Sequence, residues 1–486
     1  MRRTIAVSST LAALTLSAAA LVAAGPPAAA LEPDLANPQV VASGLTVPWG
    51  LGFLPDGSAL VAERNSARVL RVRPGAAPAT VTTIAGVAPA GEAGLLGLAV
   101  SPTFAQDNYV YVYFTAASDN RIVRFRLDTP QTQQVILSGL AKASIHDGGR
   151  IAFGPDGMLY AAVGDAAVTS NAQNQQSLNG KILRMRPDGG VPATGNPFPG
   201  SLVYSLGHRN PQGLAWDAQG RLYASEFGQN TWDEVNQIVA GANYGWPTVE
   251  GRSTDTRFRN PIVVWTTAEA SPSGATIDGQ TLYVAALRGQ RLWTVPLDGA
   301  GGAGTPVARL QGQYGRLRTV ERAPDGALWV TTSNRDGRGT PAADDDRILR
   351  FPPLGPVSPS ASPPGSPSVS PPASPSTSPS AAACSVRWTA DQWGTGFTAN
   401  VGVTNLGAAR SSWTVTFTFP GNQQVTGAWN ATVSQSGAAV TARNASWNGT
   451  LAAGATTSFG LQATYSGTNA RPTDFRLDGT ACAVTG

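Results

Sequence analysis

Six times between Gly52 and Ser333 this chain repeats one phrase: a short apolar run, a tight turn and a second, alternating run. The copies are GFLPDGSALVAER from Gly52, AVSPTFAQDNYVYVYFT from Ala99, AFGPDGMLYAAVGD from Ala152, AWDAQGRLYASEFG from Ala215, TIDGQTLYVAALRGQ from Thr276 and RAPDGALWVTTS from Arg322. Their turn positions Gly57, Asn108, Gly157, Gly220, Gly279 and Gly326 lie 51, 49, 63, 59 and 47 residues apart. Glycine and asparagine are the residues that accept the left-handed backbone of a hairpin turn. Antiparallel hairpins recurring at such a period are propeller blades, because one hairpin cannot bury its own faces and must stack on the next. Six copies within residues 35–351 therefore predict a six-bladed β-propeller. A β-sandwich with coincidental hairpins is the competing all-β architecture. The 55 glycines and 37 prolines suit a turn-rich chain and exclude a helical bundle or coiled coil. In a propeller, ligands enter at one end of the central channel, so the chemistry is expected in loops flanking these repeats.

The remaining segments have their own character. Arg2-Arg3, an apolar run from Leu11 to Ala24 and Ala28-Ala29-Ala30 read as a secretory signal peptide over residues 1–30, by the general or the twin-arginine route. The alternative is an N-terminal membrane anchor, against which the short run and Pro26-Pro27 argue. Residues 352–383, almost purely Pro, Ser and Ala, predict an extended linker. A second module, 384–486, carries the period-2 strand WTVTFTF from Trp413 and short strands with Gly/Asn turns, which predict a C-terminal β-sandwich. Its cysteines, Cys384 and Cys482, are the only two of the chain and in a secreted protein should form a disulfide. Two cysteines and two histidines exclude a Cys₄ zinc site, an iron–sulfur cluster and a CxxCH haem. The net charge of +4 is too dilute for a nucleic-acid partner. No other apolar stretch is long enough to span a membrane, so the expected product is soluble, secreted and extracellular.

Four polar clusters flank the propeller repeats. SIHDGGRIAFGPDG, from Ser144, places His146 before a Gly-Gly turn, where an imidazole facing the channel serves as a general base. On the residues alone, a turn histidine bonded to backbone is the commoner outcome. YSLGHRNPQGLAW, from Tyr204, packs His208, Arg209, Asn210 and Gln212 into one turn, a donor set suited to an anion or simply a solvated loop. SEFGQNTWDEVNQIVAGANYGWP, from Ser225, sets Glu226, Asp233 and Glu234 near the carbonyls of Gly228 and Gln229; hard oxygen ligands on an irregular loop suit calcium, although loop carboxylates are more often merely solvated. Arg316 and Arg318 lie two apart and share one face of a strand, and Arg288 ends another strand; arginines converging on a channel mouth would cradle a polyanion. In the sandwich, Trp393, Trp429 and Trp447 sit beside polar turn residues, where an indole left near the surface offers a flat face to a sugar ring.

EAGLLGLAVSPTF, HDGGRIAFGPDGMLYAAVGD, NGKILRM, GHRNPQGLAW, NYGWP and GRLRTVERAPDG, in this order, resemble the soluble PQQ-dependent glucose/sorbosone dehydrogenases, six-bladed propellers, across essentially all of 35–351. The resemblance implies PQQ and Ca2+ as cofactors and a sugar as substrate. It implies His146 as the base that takes the hydroxyl proton and Arg209 as the arginine beside the reactive quinone carbonyl. Asn210, Gln212, Arg316 and Arg318 match cofactor contacts. The carbonyls of Gly228 and Gln229 match those that hold the cofactor-bound calcium, and Glu234 and Tyr244 match ligands of a further, structural calcium. Departures are Arg288 in place of a cofactor-contacting lysine, Phe227 in place of a glutamine, Gln229 in place of a proline, and Glu92 in place of a substrate-side glutamine, which puts glucose itself in doubt. Asp147 joins Glu92 as a substrate-side candidate. The sandwich resembles family 2 carbohydrate-binding modules through QWGTGFTANVGVTN, the terminal cysteines and the three tryptophans. That resemblance implies a cellulose or chitin surface as partner, with the electron acceptor unidentified. Two other readings stand beside this one. A propeller lactonase or glycoside hydrolase would need carboxylates at the channel mouth, with Asp147, Asp165 and Glu226 as candidates; a non-enzymatic scaffold would need none.

Overall fold

The computed structural model describes residues 32–354, 383–445, 448–451 and 455–485. The expected signal peptide, nearly all of the expected linker, and Trp447 lie outside the described residues. The chain divides into two compact units, to which residues 32–354 and 383–485 respectively belong.

In the first unit the six repeats become six four-stranded antiparallel sheets. Blade 1 comprises Pro48–Phe53, Ala59–Glu63, Arg68–Val72 and Ala79–Thr83; blade 2 Leu95–Val100, Tyr109–Thr115, Asn120–Arg126 and Thr129–Leu140; blade 3 Ile151–Phe153, Leu159–Val163, Lys181–Met185 and Val203–Leu206. Blade 4 comprises Pro211–Trp216, Leu222–Glu226, Trp232–Ile238 and Val263–Thr266; blade 5 Pro272–Asp278, Thr281–Ala286, Arg291–Pro296 and Val307–Arg309. Blade 6 takes Leu317–Arg322, Leu328–Thr332 and Ile348–Phe351 from the end of the unit and Gln39–Ala42 from its start. Pairing of Gln39 with Arg350 and of Ala42 with Ile348 closes the ring between distant parts of the chain.

The second strand of each blade, expected to alternate, is instead buried along almost its whole length, because both its faces are covered, one by each neighbouring blade. In Leu159–Val163, Leu159, Ala161 and Val163 join the cluster shared with blade 2, while Tyr160 and Ala162 join the one shared with blade 4. Six such clusters occur, one per blade interface. All six turn residues picked out by the repeat have positive φ, from 58° at Asn108 and Gly279 to 82° at Gly326. The innermost strands approach too closely for a side chain at some points: a Cβ on Gly213 would stand 2.4 Å from the Ser273 carbonyl of blade 5. A polar network crosses the channel beneath the site. Arg318 Nη1 donates to Gln212 Oε1 (2.8 Å), which also accepts from Ser273 Oγ (3.0 Å). Arg150 Nε donates to the Gln212 carbonyl, its Nη2 to Thr319 Oγ1, and its guanidinium lies over Trp49.

The second unit is a sandwich of two five-stranded sheets. One holds Gln424–Trp429, Thr456–Thr464, Gly396–Asn405, Cys384–Trp393 and Ala483–Thr485; the other holds Ala431–Ser436, Ala439–Asn444, Thr414–Thr418, Arg476–Leu477 and Thr480–Ala481. Trp413, Trp388, Phe417 and Phe459 fill its core, and Cys384 is bonded to Cys482.

Candidate functional site

Because neighbouring strands run antiparallel, the start of each blade's innermost strand and the end of its second strand lie at one end of the propeller, and the six tight turns lie at the other. Every propeller residue singled out as a ligand or catalytic group is at the first end, including Glu234, which pairs with Glu226 at the end of a second strand, and Tyr244, whose N–H donates to Leu206 at the end of a fourth strand. Glu92, His146, Arg209, Asn210 and Arg316 precede innermost strands or open them, Gln212 and Arg318 lie in their first turns of pleat, and Gly228, Gln229 and Arg288 follow second strands.

His146 adopts a left-handed backbone, φ 63°, which a non-glycine residue keeps only when its surroundings impose it. Its N–H donates to Glu92 Oε2 (3.2 Å), and its carbonyl accepts from Ala166 N (3.1 Å). Its Nδ1 lies 2.8 Å from Asp165 Oδ1. Asp165 is fully buried and also receives the Ala167 N–H (2.8 Å) and the Trp246 indole N–H at Oδ2 (2.8 Å). A carboxylate facing this set of donors is an acceptor only, so the hydrogen-bond network assigns the proton to Nδ1 and leaves the Nε2 lone pair free. Asp165 was expected only as a carboxylate of a hydrolase; here it orients the imidazole.

Trp246 connects this pair to Arg209, whose guanidinium lies 5.3 Å from the indole ring. The Arg209 backbone N–H donates to Glu226 Oε1 (2.5 Å) and its carbonyl accepts from Asp165 N (2.8 Å). Its Nη1 donates to the Gly228 carbonyl (2.6 Å), one of the two expected to hold calcium. Asn210 lies between the halves, with Oδ1 accepting from Gly148 N (3.0 Å) and Nδ2 3.4 Å from Glu92 Oε2. His208 leaves the donor set: it is fully buried, bridges Ser205 Oγ and Glu226 Oε2, and stacks on Tyr244.

Opposite lies a cationic wall. Arg316 binds Asp336 through Nε (2.9 Å) and Nη2 (2.8 Å), Arg318 Nη2 is 3.6 Å from the same carboxylate, and Arg64 Nη2 donates to the Asp336 carbonyl. Arg338 reaches Glu92 Oε1 at 3.1 Å. Among the described residues, Asp336 and Glu92 are thus the carboxylates that offset Arg64, Arg316, Arg318 and Arg338. Burial brings Arg318 down to about 9 and also lowers Arg64 and Arg209 from the usual guanidinium range, with the nearby carboxylates only partly offsetting it. The Nε atoms of Arg209 and Arg318 are buried without a hydrogen-bond partner. Such orphaned donors on under-neutralised arginines fit an anion with several carboxylates.

Beneath Arg209 a cavity of about 10 Å³ is lined by Glu226, Glu234, Glu250, Tyr244 and Trp246, which is the size of one water or ion. Burial, and secondly the charge of Glu226, push Glu234 up to about 8. Tyr244 uses its hydroxyl on Gln237 O (2.7 Å) and Val239 N (2.9 Å). Among the described residues no three His, Cys, Asp or Glu side chains converge as a metal site, so a cation here would rest on Glu234 and on carbonyls.

Two expected residues stand apart. Asp147 is sealed from solvent: Oδ1 accepts from Asn120 Nδ2 (2.8 Å) and Ala143 N (3.1 Å), and Oδ2 has no partner. The left-handed turn at His146 sends the two neighbours opposite ways, so Asp147 offers no atom to the mouth in this structure. Arg288 is exposed two residues beyond the end of its strand rather than on it. The residues that sequence reasoning passed over, Arg64, Asp336, Arg338 and the orienting role of Asp165, follow second strands of their blades. That topological position was the available signal.

In the sandwich, Trp393 and Trp429 are 51% and 42% exposed on the outer face of one sheet. Trp429 lies across Gly460, where a Cβ would collide with its ring at 1.9 Å.

The sequence profile of the Glucose / Sorbosone dehydrogenase family matches residues 45–349. The chain belongs to that family. Quinoprotein glucose dehydrogenase B of Acinetobacter calcoaceticus is 34% identical over 260 residues, which is 45% of this chain and 54% of that protein, so this chain matches about half the length of that relative. Among solved structures, the PQQ-bound form of aldose sugar dehydrogenase from Streptomyces coelicolor is 51% identical with a TM-score of 0.62, over 65% of this chain and 98% of that one. The Cellulose binding domain profile matches residues 384–482. Endoglucanase CelA of Streptomyces lividans is 46% identical over 105 residues, 21% of this chain and 23% of that enzyme. A glucose/sorbosone dehydrogenase propeller and a family 2 cellulose-binding module thus share one chain.

Proposed function

We propose that the protein is a secreted, PQQ- and calcium-dependent sugar dehydrogenase that its C-terminal module, 384–486, holds on cellulose or chitin. The observation that carries this reading is the pairing, through Asp165 and Trp246, of an imidazole with a free Nε2 and a buried guanidinium, next to arginines short of counter-charge. Arg316, Arg318, Asn210, Gln212 and, at the rim, Arg288 would hold the carboxylates and carbonyls of PQQ. Gly228 and Gln229 would present carbonyls to a calcium ion, once Arg209 turns from Gly228 to the cofactor, and Glu234 beside Tyr244 would serve a second one. Bound PQQ supplies the two-electron acceptor, with calcium as a Lewis acid at its quinone edge.

The chain's own contribution is placement and proton transfer. His146 Nε2 takes the proton of the sugar hydroxyl while the C–H electron pair leaves as hydride, giving a lactone from an aldose. Asp165 keeps the imidazole in the tautomer this needs and stabilises its positive charge. Arg209 supplies positive charge where negative charge accumulates on the acceptor. Glu92 faces the substrate side with Oε2 near His146 N and Asn210. Trp393, Trp429 and Trp447 would stack on the polysaccharide. The disulfide fits export to an oxidising compartment, and no helix among the described residues is long and apolar enough to cross a membrane.

The hydrolase reading loses its groups: Asp147 is sealed, Asp165 is engaged by His146, Ala167 and Trp246, and Glu226 is held between His208 and the Arg209 amide. Purified apo-protein given PQQ and calcium should reduce a dye with aldoses. Sugar-ester or glycoside hydrolysis without cofactor would overturn the proposal.

A further inference from the structure

Among the described propeller residues, Trp232 is the only exposed tryptophan, 36% open, and it opens the third strand of blade 4 at the site end. Its placement is built. Glu250 Oε1 accepts the backbone N–H groups of Gln229, Asn230, Thr231 and Trp232 at 2.6, 3.0, 3.0 and 3.1 Å. Gly251, whose N–H is held by Glu234 Oε1 (2.6 Å), seats the indole; a Cβ there would stand 2.5 Å from Cδ1. A Cβ on Gly228 would run into the Trp232 carbonyl at 1.7 Å, so the loop that carries Trp232 lies against the carbonyl that Arg209 grips. A large aromatic is therefore fixed at the rim on a loop packed against Gly228, whose carbonyl accepts from Arg209. A stiff aromatic costs little entropy to use, and its flat face suits the C–H face of a pyranose.

From this geometry we propose that Trp232 forms an outer sugar subsite and, because a cellulose-binding module shares the chain, that the preferred substrate is a β-1,4-linked gluco-oligosaccharide whose terminal unit reacts at His146. This rests on the sugar-dehydrogenase reading and deepens it. A protein partner suits the rim less well, because a stable interface needs a broad apolar core, and the large hydrophobics exposed at this end are Trp232 and Val168.

Steady-state kinetics of the full chain, loaded with PQQ and calcium, on glucose, cellobiose and cellotriose tests it. Wild type should favour cellotriose. Trp232→Ala should lower kcat/KM for cellotriose about tenfold, a loss of roughly 1.4 kcal/mol, and leave glucose within twofold; Trp232→Phe should keep most of the preference. An equal fall for all three sugars, or no fall, overturns the subsite. If wild type oxidises no sugar, the dehydrogenase reading fails, and titration calorimetry judges the subsite alone. In a chain with Trp393, Trp429 and Trp447 changed to Ala, cellotriose should bind with Trp232 present and not with Trp232→Ala; binding that is absent or unaffected overturns it.

Discussion

Asp165→Asn is the most incisive single change. The native carboxylate gives Oδ1 to His146 Nδ1 and Ala167 N and Oδ2 to the Trp246 indole, all at 2.8 Å, with no solvent access. An asparagine has one oxygen for these donors. If that oxygen keeps the Oδ1 place, its NH₂ confronts the indole N–H and leaves a buried donor unpaired, at a cost of about 1–3 kcal/mol. If the amide flips, its oxygen accepts from the indole and its NH₂ donates to Nδ1, leaving only the Ala167 N–H unpaired, so this is the favoured form; the imidazole then carries its proton on Nε2 and cannot accept one from substrate. The catalytic loss expected of a misplaced general base is about 10²–10⁴-fold in kcat. The assay is dye reduction at saturating sugar, with PQQ affinity measured by equilibrium titration and folding by thermal melting. The expected result is a kcat lower by at least about 10², with PQQ binding close to wild type and a lower Tm. A kcat within threefold of wild type in a folded, PQQ-loaded variant would refute the orienting role and the tautomer assignment.

Glu234 is pushed up to about 8, so the folded chain retains a proton that the unfolded chain sheds near pH 4.5, and stability without calcium falls as pH rises between those values. Calcium should therefore raise Tm more at pH 8 than at pH 6, and Glu234→Gln should abolish the increment, as melting with and without chelator would show. Asp147, pushed up to about 6 by burial, loses folded-state stability in the same sense between pH 4 and 6; Asp147→Asn should gain of order 2 kcal/mol on wild type at pH 7 and little at pH 4, read from urea unfolding at both pH values. The bond between Cys384 and Cys482 spans 98 residues, so replacing both by Ser should destabilise the sandwich by up to about 4–5 kcal/mol and weaken cellulose retention first on warming, while dye reduction by the propeller persists.

The fold was legible because its period is written in residues with few substitutes. Each predicted turn residue has positive φ, and each second strand is buried on both faces. The site was legible only as loops. Trp246 bonds Asp165 across 81 positions, and Arg338 meets Glu92 from the far end of the repeat array; ring closure creates such neighbours, and no local pattern encodes them. Sequence adjacency misled at Asp147, because the left-handed backbone of His146 turns one side chain to the mouth and the next into the protein. Local composition also grouped His208 with Arg209 as a donor, whereas burial between Ser205 and Glu226 makes it a brace for the loop.

The most direct test of the central claim is the anaerobic absorbance change when an aldose is mixed with the PQQ- and calcium-loaded chain, compared between wild type and His146→Gln at equal cofactor occupancy. The account predicts that the wild-type spectrum converts to that of the reduced cofactor within a single turnover, and that the variant, although it binds PQQ, converts at least about 10²-fold more slowly. Conversion at the wild-type rate in His146→Gln, or failure of the wild-type chain to take up PQQ, would contradict it.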